Sequence, residues 1–354
     1  MSLPTESIGS IPRPPRLLEA LREFRAGRLS KETLDGFYDE ALRDTIRRFE
    51  ETGSPMIGDG EQTKSSFATY PLEGLPNIQA DGVVIAFADG HTRQLPRLTT
   101  GPFRYGIQAE RYVKAAQRYA TRTLKQAVIS ASALSLIYPS EGIEGYDRET
   151  FFNDLVAEAV ADIRGCLDAG ARHVQIDFTE GRLAVKLDPS KQLLGQFIAL
   201  NNRVLGQFSA EERKRIGVHT CPGGDHDSTH SADVDYAELL PSLFSLEAGN
   251  FYMQLASEKD PDHVLSVVRD NLRPGQRVYV GVIDVLNPDV ETPEQVRDRV
   301  LRAAEYIPLD QLGTTDDCGF SPFEDDTSTG RDTAFAKITA RVEGTRLAAE
   351  VLRR

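Results

Sequence analysis

Short, nearly continuous apolar runs alternate along the chain with amphipathic segments of helical period. This is the pattern of a parallel sheet covered on both faces. Eight runs have strand character: TESIGS (5–10), PMIGDG (55–60), KQAVIS (125–130), HVQIDF (173–178), RIGVHT (215–220), NFYMQL (250–255), RVYVGVID (277–284) and QLGTTD (311–316). The first and last carry the pattern least strongly. Between the runs, one helix is expected to open at Ser30, with Glu32 in its first turn, and to stop at Gly53. Another opens at Asp147 and stops at Gly170, and further helical periods cover 190–208, 233–246, 261–271, 293–306 and 331–352.

Eight strands with intervening helices predict an α/β fold, a (β/α)8 TIM barrel, with residues 1–354 as a single domain. Residues 62–124 read as an insertion after the second strand, holding a β-hairpin that turns at Asp89-Gly90. A doubly wound open sheet is the alternative for such a pattern. No strand, however, is followed by the Gly-rich phosphate loop that would mark a dinucleotide site.

Composition narrows the function. Apolar residues make up 40% and charged residues 27%, an ordinary soluble balance. The net charge of −13 argues against sequence-independent binding to nucleic acid or to anionic membrane, so neither is expected as a partner. No apolar run is long enough to span a bilayer. Cys166, Cys221 and Cys318 are odd in number and widely spaced, which is no disulfide framework and fits a reducing cytoplasm. Tryptophan is absent, so a planar ligand would stack on Tyr, Phe or Arg.

Chemistry in such a barrel sits at the C-terminal ends of the strands. Those ends read Gly9-Ser10, Asp59-Gly60-Glu61, Ser130, Asp177, His219-Thr220-Cys221, Gln254, Asp284 and Asp316-Asp317-Cys318. The run GVHTCPGGDHDSTHSADVDY, Gly217 to Tyr236, holds three of the six histidines. His219 and Cys221, two positions apart, face one point from a strand. Cys318, beside the first strand, can reach the same mouth. Two thiolates and an imidazole suit Zn²⁺, and a substrate thiol bound to zinc loses its proton near neutral pH. The plainer reading is an incidental His-x-Cys and a small buried Cys318.

Other candidates are weighed the same way. Cys166 sits beside Ile163 and Leu167 on an amphipathic helix and reads as core. His226 and His230 follow Gly223-Gly224 as supporting donors, substrate contacts or solvated loop residues, and Ser231 or Asp233 is expected to cap the next helix. His91 and His173 read as structural and His263 as exposed. Asp59 and Asp284 join His226 and His230 as candidates for catalytic or supporting roles. Glu61 and Asp177 could form a glycosidase pair or bind an amino group. Gly-x-Ser-x-Gly does not occur, so a nucleophile elbow is unsupported.

Taken in order, TESIGSIPRP, GDGEQ, VQIDF, GVHTC, VGVIDVLNPDVET and TTDDCGF resemble the catalytic domain of cobalamin-independent methionine synthases over almost the whole chain. The chain looks like a short, single-barrel member of that family. The resemblance implies a zinc-activated thiol, homocysteine-like, that attacks an alkyl donor such as methyl-tetrahydrofolate, with another protein a possible source of that donor. It implies His219, Cys221 and Cys318 as zinc ligands. Ile8-Gly9-Ser10 would hold an amino-acid carboxylate, and Glu61 and Asp177 its amino group. Three positions depart from the family pattern. Gln254 stands where the fourth ligand is a glutamate, Leu286 stands where a histidine assists the leaving folate nitrogen, and no tryptophan is present for a pterin. A non-folate donor, as in the similar epoxyalkane coenzyme M transferases, is the rival expectation. A metal-assisted hydrolase and a non-catalytic barrel retaining the pocket are the others.

Overall fold

The computed structural model describes residues 3–353. Seven strands form one parallel sheet in chain order: β1 (Met56–Ile57), β2 (Thr123–Ile129), β3 (His173–Asp177), β4 (Ile216–Thr220), β5 (Asn250–Met253), β6 (Arg277–Gly281) and β7 (Leu312–Thr315). Helices cross between them, as in a TIM barrel. The expected helices appear at Lys31–Glu51, Arg148–Asp168, Gln192–Leu205, Pro261–Asn271, Pro293–Ala304 and Arg331–Val351. Ser30 and Asp147 cap the first two by accepting from Thr33 and Thr150 N–H.

The eighth strand is a correction. In place of a strand over 5–10, Thr5 makes a single parallel bridge to Thr314. Glu6 N–H donates to Thr314 O at 3.0 Å, and Ile11 N–H donates to Gly60 O, just past β1, also at 3.0 Å. Residues 4–11 therefore lie between the two edges of the curled sheet. The ladder stops because this segment serves side chains instead: Lys125 Nζ donates to Ser7 O at 2.7 Å, and Arg341 Nη2 to Ser7 Oγ at 2.8 Å.

Residues 233–246 also depart from expectation. They form a short 3-10 turn, Tyr236–Glu238, and one helical turn, Leu240–Leu243, containing Pro241, whose missing N–H breaks a longer helix. Asp235 caps this segment, accepting from Ala237 N–H at 2.9 Å. Ser231 donates to Pro222 O and Asp233 pairs with Lys186 instead. The hairpin is present, with Val84–Ala86 antiparallel to Thr92–Gln94 and Gly90 at φ 94° in the turn.

Period-two alternation divides the strands. Val174, Ile176, Ile216, Val218, Phe251, Val278 and Val280 join the main apolar core beneath the helices. The alternate positions, His173, Gln175, Asp177, His219, Tyr252 and Tyr279, occupy the opposite face, within the barrel. Gly217 and Gly313 make room there: a Cβ would meet the Tyr252 ring at 2.5 Å and the Tyr279 ring at 2.6 Å. Those two rings stack at 4.7 Å.

Glu6 ties this interior together. It bonds His173 Nδ1 at 2.9 Å and Tyr252 OH at 2.7 Å, and lies 3.6 Å from Lys125 Nζ. Burial pushes its carboxyl up, but His173, Lys125 and Tyr252 together bring it from 4.5 down to about 2. A folded value below the unfolded one stabilises the native state fully above pH 4.5, and the contribution vanishes as pH falls to about 2. Glu6→Gln is expected to cost about 3 kcal/mol at pH 7. Urea titrations should show variant and wild type converging between pH 4.5 and 2.

Candidate active site

β4 carries His219 on its inner face, in register between Asp177 of β3 and Tyr252 of β5. The Tyr252 carbonyl lies 3.2 Å from Nδ1. A proton on Nδ1 donated to that carbonyl leaves Nε2 as the lone-pair nitrogen. Nε2 is buried and has no hydrogen-bond partner among the described residues. Immediately after β4, Cys221 Sγ lies 3.2 Å from Cys318 Sγ, and Gly223 N–H donates to Cys221 Sγ at 3.4 Å. The ligand atoms of His219, Cys221 and Cys318 all lie within 4.8 Å of one another. The Cys221 sulfur and burial together push the Cys318 thiol well above its usual range. Burial pulls the His219 imidazole down, but the Cys318 sulfur and Asp177 carry it upward overall. A cation among these atoms would supply the charge that the site lacks.

Cys318 is held by what precedes it. Asp317 accepts from Leu255 N–H and Ala256 N–H at 2.9 Å, Ser257 N–H at 2.8 Å and Ser257 Oγ at 2.6 Å. The turn after β5 is thus fastened to the segment that carries the cysteine. Gln254 begins that turn. Its Nε2 donates to Ser257 Oγ at 2.7 Å, while its Oε1 is buried without a partner among the described residues. Gln254 and Cys318 line one cavity together with Asp284 and Leu286.

Ile8, Ser10, Glu61 and Asp177 line a cavity of about 30 Å³ with His219 and Cys318. Gly9 is not among its walls. Ser10 Oγ accepts from Ser321 N–H at 3.2 Å, and Gly319 packs so closely that a Cβ there would lie 2.1 Å from Ser10 Oγ. Glu61 takes a left-handed φ of 56°, fixed by its N–H to Asp59 Oδ1 at 3.0 Å and by Lys64 Nζ at 3.0 Å. Asp59 therefore positions Glu61. Burial raises the Asp177 carboxyl, with His219 acting against the rise. Asp284 turns inward on its own loop, accepting Leu286 N–H at 3.0 Å.

The two later histidines part company. His226 is exposed at φ 47°, with Nε2 3.1 Å from Arg93, and lies outside the His-Cys-Cys group. His230 is buried, its imidazole pushed down to about 4 by burial, and lines a separate, larger cavity. Cys166 is core, His173 bonds Glu6, His91 bridges Asp89 and Asp225, and His263 is exposed.

Four residues that shape this end of the barrel escaped sequence reasoning: Glu180, whose buried carboxyl accepts from Ser130 and Ser132, Asp317 as an anchor, Arg93 and Asp225. Arg93 Nε donates to buried Asp225 Oδ2 at 2.5 Å and Nη2 to Oδ1 at 3.0 Å. Ala88 N–H adds a bond to Thr229 O at 3.0 Å. The hairpin of 84–94 is thereby clamped onto the loop that follows Cys221. Arg and Asp 132 positions apart on separate polar loops leave no signal in a single sequence.

Residues 3–340 match the family model described as "Cobalamin-independent synthase, Catalytic domain". The chain belongs to that family. It is an enzyme of the methyltransferase class. It is 22% identical over 354 residues to the methionine synthase of Saccharolobus solfataricus, covering 99% of this chain and 96% of that one. The methionine synthase of Sulfurisphaera tokodaii is 24% identical over 351 residues, with 99% and 94% covered. A B12-independent methionine synthase from Shewanella sp. in complex with selenomethionine shares the fold at TM-score 0.76 and 20% identity, covering 100% of this chain and 99% of that one. A putative vitamin-B12 independent methionine synthase from Listeria monocytogenes gives 0.73 and 21%, with 99% of each chain covered.

Within this synthase-family barrel, the clamp is open to a direct check. Asp225→Asn should speed amide exchange in residues 84–94 and 224–230 by at least about tenfold, the loss of roughly 1.5 kcal/mol of local stability. Exchange in β3 to β6 should stay unchanged, as read by hydrogen-exchange mass spectrometry.

Proposed function

We propose that His219, Cys221 and Cys318 hold a zinc ion and that the enzyme transfers a methyl group to a homocysteine-like thiol. The observation that carries this reading is the convergence of three ligand atoms within 4.8 Å, one of them an unpartnered buried imidazole nitrogen. The donor set, two sulfurs and one nitrogen, is one that zinc favours. Bound there, zinc would supply the positive charge that keeps a ligating thiol deprotonated near neutral pH. The unpartnered Oε1 of Gln254 is a candidate fourth donor.

The chain's own residues do the positioning. The Tyr252 carbonyl sets the His219 ring. Asp317 holds Cys318 in place through the 255–257 turn. Glu61 and Asp177, both buried beside His219, would receive the ammonium group of an amino-acid thiol. Ile8 and Ser10, in the same wall, would face its carboxylate. A reducing cytoplasm would keep the two neighbouring thiols free.

Protein purified without chelator should carry about one zinc per chain, as expected for one His-Cys-Cys ligand set with an open position. Cys221→Ser and Cys318→Ser should lose the metal while remaining folded by circular dichroism. A folded wild-type protein that binds no zinc under saturating metal would overturn the reading. Glu61→Gln should raise the KM for homocysteine roughly thirtyfold, a loss of about 2 kcal/mol for one charge-assisted bond, with zinc content unchanged. An unchanged KM would remove Glu61 from amino-group recognition.

A further inference from the structure

A cavity of about 350 Å³ adjoins the thiol pocket, and the two share Phe67, Thr179, Gly223 and Gly224 as walls. Its lining is largely apolar, with Phe67, Phe87, Phe323, Leu136 and Leu183 among the side chains. Glu180 lies in this wall at the start of the helix Glu180–Leu187, and its side chain is buried. Ser130 Oγ donates to Glu180 Oε1 at 2.6 Å, and Ser132 Oγ donates to the same oxygen. Oε2 has no partner among the described residues.

The other charges around the cavity are matched. Arg25 pairs with Glu324, and Arg93 pairs with Asp225 and Asp325. Burial keeps His230 neutral. Glu180 is different: the groups acting on it are two hydroxyls, its own N–H and the like-charged Asp177, and burial lifts its carboxyl to about 7. A buried carboxyl without a cation is driven toward its neutral form, and a cationic ligand beside it would favour the charged one.

We infer that this cavity receives the alkyl donor, that the donor is a sulfonium cation, and that Glu180 is its counter-ion. The inference rests on the thiol-transfer reading of the adjoining site. In the step it implies, the thiolate sulfur attacks a methyl carbon of the sulfonium and a new S–CH₃ bond forms. The old C–S⁺ bond breaks, and its electron pair goes to the departing sulfur. Anion and cation thus become two neutral thioethers. The leaving group needs no proton, so the cavity needs a counter-charge and apolar walls, with no strong acid aimed at the leaving atom.

Binding of dimethylphenylsulfonium and of neutral methyl phenyl sulfide to the zinc-loaded enzyme, measured by calorimetry, tests the assignment. The expected result is at least tenfold tighter binding of the cation, with the preference abolished in Glu180→Gln. Equal binding of the two probes to wild type would overturn it, and so would a preference that survives in Glu180→Gln. Because wild type alone gives the first comparison, a misfolded variant would not shield the proposal. With homocysteine added, the sulfonium should yield methionine and methyl phenyl sulfide. Bound sulfonium that transfers nothing to bound homocysteine, or efficient turnover of methyl-tetrahydrofolate alone, would remove the donor assignment. Homocysteine binding, read separately in the same preparation, reports failure of the thiol reading itself.

Discussion

Cys221 and Cys318 are separated by 97 residues in the chain and by 3.2 Å between their sulfurs. The Cys318 thiol, this close to the Cys221 sulfur and desolvated by burial, resists ionisation. A cation between them would relieve this, and much of the surrounding structure holds His219, Cys221 and Cys318 to one point. Parallel register sets His219 between Asp177 and Tyr252. The Tyr252 carbonyl orients the ring, and the four bonds accepted by Asp317 lock the Cys318 segment against the turn after β5. Position is thus set by backbone ladders and buried carboxylates, which are stiffer than loops.

Three buried polar atoms at this end of the barrel have no hydrogen-bond partner among the described residues. His219 Nε2, Gln254 Oε1 and Glu180 Oε2 are all of this kind. Each represents a desolvation cost that folding alone does not recover. At the opposite end of the same interior Glu6 bonds His173 and Tyr252 and lies close to Lys125.

The legibility of the fold followed burial. Strands such as HVQIDF and RIGVHT were readable because their outward residues, Val174, Ile176, Ile216 and Val218, form unbroken apolar stripes against helices. The segment at 5–10 misled because Glu6 and Ser7 spend their hydrogen bonds on interior side chains after one bridge residue. The helix expected at 233–246 is interrupted at Pro241, which has no N–H to continue the ladder. At the site, His-x-Cys and the late Asp-Cys-Gly were readable from strand position. Glu180 was not, because nothing local reveals that a glutamate three residues past Asp177 is buried with one oxygen bare. His226 looked chemical by its neighbours in sequence, yet it turns outward.

The central claim is that His219, Cys221 and Cys318 hold zinc with a position open to a substrate thiol. X-ray absorption at the zinc edge, with and without homocysteine, tests it most directly. The account predicts two sulfur scatterers near 2.3 Å in the free enzyme and a third when homocysteine is added. A zinc shell without two protein sulfurs, or one unchanged by saturating homocysteine, would contradict it.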